Sequence, residues 1–83
     1  MSSEMITGRQ IRGARGFLRW SINELAQASG VSVPTVQRLE MDDGIPSGRS
    51  QTLADIKNAL ELAGIEFIGT PEEGPGVRIR IQK

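Results

Sequence analysis

The sequence SINELAQASGVSVPTVQRLE, residues 21–40, predicts two short helices joined by a tight turn. Ser21 is placed to cap the first helix, and Glu24, three residues later, completes a capping box. Gly30 falls at the end of that helix, because glycine adopts the left-handed conformation of a helix C-terminus at little cost. We therefore expect the first helix to end at Gly30 and the second to follow directly.

The second helix of this pair is expected over residues 33–41, with Ser32 as its cap. Pro34 is tolerated in the first turn because the amide hydrogen that proline lacks would have no partner there. Val36 and Leu39 lie three residues apart and are expected to face inward, which leaves the polar side chains outside. This layout is typical of a helix-turn-helix, whose second helix enters the major groove of DNA.

The composition excludes several classes of function. The 83 residues contain no cysteine and no histidine, which excludes disulfides, zinc centres built on these residues and a histidine-based catalytic triad. No apolar run approaches the ~18 residues of a membrane span, and Met1 to Glu4 is no signal peptide. We therefore expect a cytoplasmic protein with no membrane partner.

Enzyme activity is not expected either. Asp42 and Asp43 are adjacent on a predicted loop, so they do not form an acid/base pair held apart by structure. The oxygen-ligand spacing of a calcium loop and the glycine patterns of phosphate-binding loops are both missing from the sequence. We expect no catalytic residue, no metal site and no cofactor.

The net charge is zero, but the charges are unevenly distributed along the chain. Residues 9–38 hold five arginines and one acid, a net charge of +4, whereas residues 40–73 hold eight acids and two bases, a net charge of −6. This distribution predicts a polarised surface with a basic face for phosphate. Ordinary charge scatter is the alternative.

A helix is also expected before the helix pair. Thr7 is placed to cap it, after a frayed start over residues 1–6, and the helix runs to about Leu18. Trp20, in the connection that follows, is expected to fill the core because aromatic side chains bury a large area. Three glycines weaken this first helix by up to ~1 kcal/mol each relative to alanine, so tertiary packing must hold it: Gly8, Gly13 and Gly16.

The rest of the chain predicts one more helix and a β-hairpin. The helix starts near residue 50 or 52 and ends at Gly64, after a loop that is rich in glycine and proline. Residues 66–68 form a short strand, and residues 77–81 alternate apolar and basic side chains with the period of a second strand. A lone two-stranded ribbon is marginal in water, so this hairpin needs a helix or a second subunit beneath it.

The order of these residues resembles the Cro/phage-repressor (xenobiotic-response-element) helix-turn-helix family over about two thirds of the chain. The resemblance implies a mainly α fold: a compact four-helix, lambda-repressor-like DNA-binding domain in residues 1–64. The C-terminal β-hairpin in residues 65–83 is then an extension and a candidate dimerisation element. The resemblance is carried by Arg15, Leu18, Ser21, Leu25-Ala26, Gly30-Val31-Ser32, Val36 and Leu39-Glu40.

The resemblance implies a transcriptional regulator, most naturally a repressor, that binds double-stranded operator DNA as a homodimer. It also implies a structural salt bridge between Arg15 of the first helix and Glu40 at the end of the reading helix. The family commonly has glutamine just after the cap of the helix that Ser21 begins, where it touches the DNA backbone. This chain has Ile22 there, which cannot make that bond.

Two alternatives remain open. An antitoxin would bind its own operator through the helices and clamp a toxin, its protein partner, with the C-terminal tail. A protein-interaction adaptor would reuse the fold without binding DNA, and both Ile22 and the acidic second half of the chain favour that possibility.

The residues expected to contact DNA follow from helix geometry and donor chemistry. The hydroxyls of Ser32 and Thr35 suit phosphate or a base edge, whereas Val33 and Pro34 offer apolar contact, most naturally with a thymine methyl. Arg38 suits a guanine or a phosphate. Because few direct hydrogen-bond readers remain, DNA shape is expected to contribute to specificity. The expected DNA-binding set is Ser21, Ser32, Val33, Pro34, Thr35, Gln37, Arg38 and Arg49.

Overall fold

A computed structural model describes residues 6–44, 50–70 and 72–80. In these residues the elements follow in the order α1 (Gly8–Leu18), α2 (Ile22–Ser29), α3 (Val33–Glu40), α4 (Ser50–Leu62), β1 (Ile65–Ile68) and β2 (Gly76–Ile79). The predicted mainly α fold, with four helices and a C-terminal hairpin, is confirmed. Arg49 in the loop before α4 and Ile81 in the predicted second strand lie outside the described residues.

Helix α1 begins at the predicted cap, Thr7. The capping box with Gln10 and the hydrophobic staple described below were not expected from the sequence. The Thr7 hydroxyl accepts from the amide of Gln10 at 3.1 Å, and the Thr7 amide donates to Gln10 Oε1 at 2.8 Å. Ile6 is only 2% exposed, so the prediction of a frayed start is wrong at this residue. Ile6 and Ile11 flank the cap with the spacing of a hydrophobic staple, and both lie in the core.

Helices α2 and α3 form the helix-turn-helix. The predicted capping box of α2 is present, with the Ser21 hydroxyl accepting from the Glu24 amide at 3.1 Å and Glu24 Oε1 accepting from the Ser21 amide at 2.7 Å. Gly30 ends α2 with a φ of 76°, as expected. Ser32 occupies the predicted cap position of α3, but the hydrogen bond expected of a cap is absent. Its hydroxyl accepts from no helix amide and instead donates to Thr35 Oγ1 at 2.9 Å.

One core joins all four helices and the first strand. Val36 and Leu39 hold α3 against it. Trp20 packs on its edge and is half-buried, so it does not fill the core as predicted. Helix α4 buries Leu53, Ile56 and Leu60 in this core and ends before Gly64, which has a φ of 108°. The buried apolar residues are Ile6, Ile11, Ala14, Leu25, Val36, Leu39, Leu53, Ile56, Ala59, Leu60 and Ile65.

The hairpin lies on the helices. Its strands are antiparallel, with Ile65 opposite Ile79 and Phe67 opposite Val77, and it packs chiefly on α1 and α4. Ile65 belongs to the core, and Gln10 of α1 donates from Nε2 to the carbonyl oxygen of residue 76 at 2.9 Å. The helices therefore supply the support that a two-stranded ribbon needs.

Gly8 lies where α1 crosses the end of α3. Its amide donates to the carbonyl oxygen of Gly44 at 3.1 Å, and a Cβ at Gly8 would overlap the carbonyl oxygens of Leu39 and Asp42. We expect Gly8→Ala to lower the free energy of unfolding by ~1–3 kcal/mol, because the backbone must move to relieve the overlap. The matched control is Gly16→Ala, whose Cβ would meet no atom within 4 Å.

This control is expected to raise the free energy of unfolding by up to ~1 kcal/mol through helix propensity. Urea denaturation of the two variants measures both values. Equal effects would show that the α1–α3 crossing has no special need for glycine at residue 8.

Candidate nucleic-acid interface

Helix α3 presents a polar face to solvent. Val36 and Leu39 are 0% and 3% exposed, and they fix the inward side of the helix. The hairpin packs chiefly on α1 and α4, so α3 is not its main support. On the outward side, four residues are exposed and two are half-buried: Ser32, Pro34, Gln37 and Arg38, then Val33 and Thr35.

The start of α3 differs from the starts of α1 and α2. Among the residues that the structure describes, no side chain caps its first amides, and Pro34 occupies its first turn. Free amides and the positive end of the helix dipole favour a phosphate or an electronegative base edge. The Ser32–Thr35 hydroxyl pair lies at the same end of the helix.

A groove of about 340 Å³ runs beside the second half of α3. Ile22, at the start of α2, lines it together with Gln37 and the C-terminal cap Met41, which is 81% exposed. Ile22 itself is half-buried and packs against the core. The groove shows that the start of α2 and the outer side of α3 border one surface, as DNA docking requires.

A second concavity lies between α2 and the start of α3. Asn23 and Gln27, one helical turn apart and both exposed, line it with Ser32 and Val33. Neither amide side chain belongs to the set expected from the sequence to contact DNA. Their spacing of four residues on the outer face of a capped helix was the available signal.

Arg15 and Glu40 form a two-pronged ion pair between α1 and the end of α3. Arg15 Nε lies 2.8 Å from Glu40 Oε2, and Arg15 Nη2 lies 3.0 Å from Glu40 Oε1. The hydrogen bond to Glu40 raises the pKa of Arg15, against the opposing effect of burial. Arg15 Nη1 also donates to the carbonyl oxygen of Trp20 at 2.9 Å, which ties the α1–α2 connection to the same junction.

One acid beyond the end of α3, Asp43, pairs with two further arginines of α1. Arg12 Nη2 lies 3.0 Å from Asp43 Oδ1, Arg12 Nη1 donates to the carbonyl oxygen of Glu40, and Arg9 Nε lies 3.8 Å from Asp43 Oδ1. The hydrogen bond from Arg12, and then the charge of Arg9, lower the pKa of Asp43. The two oppositely charged segments therefore meet along α1, where Glu40 and Asp43 offset part of the basic charge, and the polarised surface stays a prediction.

The sequence-predicted site residues fall into three groups. Ser21 is exposed at the start of α2, where its hydroxyl is already engaged in the capping box. A second group lies at the start and on the outer side of α3, and Arg49 lies outside the described residues; the second group is Ser32, Val33, Pro34, Thr35, Gln37 and Arg38. Within the described ranges, no group of three acids could hold a metal ion, and no helix is long and apolar enough to cross a membrane.

The fold and this surface define a DNA-binding helix-turn-helix domain. Residues 9–50, half of the chain, match the family model described as Helix-turn-helix. The chain belongs to the Cro/phage-repressor family of helix-turn-helix regulators. No curated protein matches the chain.

Proposed function

We propose that this protein is a sequence-specific transcriptional repressor that reads the major groove of an operator with α3. The observation that carries the proposal is the outward polar face of α3. Val36 and Leu39 hold the opposite face in the core, and the Arg15–Glu40 pair fixes the end of the helix against α1. A reading helix needs this combination of rigid support and an exposed outer face.

The proposed contacts follow the order of residues along α3. Ser32, Val33, Pro34 and Thr35 lie at the leading end and meet base edges and nearby phosphate. Arg38, one turn further on, contacts a guanine or a phosphate. The remaining proposed DNA contacts are Ser21, Gln37 and Arg49.

The internal pairing of the α1 arginines limits nonspecific attraction to DNA. Arg9, Arg12 and Arg15 are engaged with carboxylates, so their charges are partly neutralised within the protein. Contacts at α3 and the shape of the DNA should therefore account for most of the specificity. As a DNA-binding regulator, the protein is proposed to act in the cytoplasm and without catalysis.

Selection of bound duplexes from a random DNA pool tests this function. We expect enrichment of a two-fold symmetric sequence, whose affinity falls linearly on a log–log plot as salt rises. A pool that shows neither enrichment nor salt-sensitive binding would contradict the proposal.

We also propose a homodimer in which residues 65–83 extend the DNA-binding part, residues 1–64, and pair the subunits. Two observations support this role. Phe17 and Ile79 expose 53% and 39% of their surface on α1 and β2, which pack together. In the described part of the chain, the sheet has only β1 and β2, so another strand could extend it. Two subunits would then read half-sites about 34 Å apart.

Sedimentation of the Ile79→Glu variant tests the hairpin as dimer contact. We expect a dimer for the wild-type chain at micromolar concentration and a monomer for the variant, because a buried unpaired charge disfavours association. Deleting residues 65–83 is a poorer test, since Ile65 belongs to the core. A variant that is still dimeric, with unchanged helical circular dichroism, would move the interface elsewhere, with α4 as the next candidate.

The adaptor alternative is favoured by one observation, the apolar wall that Ile22 and Met41 give to the groove beside α3. An adaptor would retain a protein partner and show no salt-sensitive affinity for DNA. An antitoxin would bind its operator and co-purify with a toxin. Affinity purification followed by the DNA measurement separates these two alternatives from a repressor that acts alone.

A further inference from the structure

Arg19 has an unusual backbone conformation. Among the residues that the structure describes, it is the only one other than glycine with a positive φ, 58°. It is the C-terminal cap of α1, and its amide donates to the carbonyl oxygens of Arg15 and Gly16. A side chain with a Cβ adopts this conformation at a cost, whereas glycine adopts it freely.

The position of Arg19 places it beside the proposed DNA surface. It lies two residues before Ser21, so the two Cα atoms are at most about 7 Å apart. The next residue, Ile22, borders the groove shared with Gln37 of α3. The bond from Arg15 to the carbonyl oxygen of Trp20 fixes this connection relative to the end of α3.

The side chain of Arg19 differs from those of the earlier arginines in its environment. Arg9, Arg12 and Arg15 each pair with a carboxylate. Arg19 is exposed, and within the described residues no carboxylate forms an ion pair with it. A guanidinium without a neighbouring carboxylate can direct its donors to an external anion, and its planar array of donors matches the oxygens of a phosphate.

We propose that Arg19 is a phosphate-binding residue of the DNA interface, and that the left-handed backbone at residue 19 positions its guanidinium beside the start of α2. The left-handed turn ends α1, because the amides of Arg19 and Trp20 donate to carbonyl oxygens of the last helical turn, but these backbone bonds do not require an arginine side chain at residue 19. The inference rests on the proposed DNA binding and adds to it a backbone contact close to the position where Ile22 cannot supply one.

Substitution by glycine gives opposite effects on folding and binding. In Arg19→Gly the strain disappears, so we expect the melting temperature to rise by roughly 4–8 °C. We expect affinity for a 20-base-pair duplex of random sequence to fall roughly three- to tenfold at low salt. The slope of log affinity against log salt should decrease in magnitude by about 0.9, the value for one phosphate contact. Thermal unfolding and fluorescence anisotropy measure these quantities.

Two further substitutions and a remote control isolate the charge. Arg19→Asn tolerates the left-handed backbone without a charge and should lose the same salt slope as Arg19→Gly. Arg19→Lys keeps the charge and should retain the slope. Arg9→Ala removes an exposed positive charge from the first turn of α1, outside both the proposed DNA surface and the proposed dimer contact, and should leave the slope unchanged.

Each outcome has a defined meaning. Wild-type salt slope and affinity in Arg19→Gly would overturn the phosphate contact while leaving DNA binding intact. Equal loss of slope in Arg9→Ala would also overturn it, because the effect would then reflect net charge alone. Failure of the wild-type protein to bind the duplex would overturn the proposed function together with this inference.

Discussion

The Arg15→Ala variant is expected to lose about 3–5 kcal/mol of unfolding free energy. The reason is the environment of the partner: the Glu40 side chain is only 6% exposed, and Arg15 supplies both of its short contacts with a guanidinium. Removing Arg15 leaves a carboxylate that is almost fully buried without its counter-charge. Chemical denaturation followed by circular dichroism gives the value.

Two comparisons separate the pair from an ordinary surface interaction. Arg15→Lys keeps the charge but not the two-pronged geometry, so an intermediate loss is expected. The double variant Arg15→Met with Glu40→Leu removes both charges and should be more stable than Arg15→Ala alone. If Arg15→Ala lowers the free energy of unfolding by less than about 1 kcal/mol, the pair contributes no more than an exposed salt bridge does. Such a result would also remove the pair's proposed role in fixing α3.

The Arg38→Ala variant is expected to weaken binding to a selected operator by roughly 5- to 150-fold, the equivalent of ~1–3 kcal/mol for a base contact. Arg38 is exposed on α3, one turn beyond the Ser32–Thr35 hydroxyl pair, and its side chain can reach a base edge from there. Binding to random duplex DNA should weaken much less, because that complex uses phosphate contacts alone.

Competition gel shifts give the ratio of the affinity for the operator to the affinity for random duplex DNA, and this ratio decides the prediction. Arg9→Ala is the matched control, since it removes an exposed arginine from the first turn of α1, outside both α3 and the proposed dimer contact. An equal loss of affinity for both duplexes in Arg38→Ala would show that Arg38 contacts phosphate and reads no base.

Local sequence signals were enough to predict the helices. Both the Ser21 capping box and the left-handed Gly30 depend on residues within a few positions of one another, and the structure confirms both. The role of Gly8 could not be predicted in this way. On sequence alone it weakens a helix, whereas its real role is set by the carbonyl oxygens of Leu39 and Asp42, which come from a distant part of the chain.

The electrostatics of the site also combine a feature that the sequence predicts with contacts that only the fold creates. A charge count along the chain separates the bases of α1 from the acids that follow α3. Arg12 and Asp43, however, lie 31 positions apart in sequence and 3.0 Å apart in space. A count cannot detect this cancellation because it depends on how α1 crosses the end of α3. The left-handed backbone of Arg19 could not be predicted for a different reason, because the sequence has no glycine at that position to indicate it.

Our central claim is that the outer side of α3 reads DNA. Amide chemical-shift mapping tests this claim most directly. Labelled protein would be titrated with the duplex recovered by selection from the random pool. We expect the largest shifts over residues 32–38 and at the start of α2 around Ser21, with small shifts over residues 65–80. Large shifts confined to the hairpin and α4, with residues 32–38 unchanged, would contradict the claim.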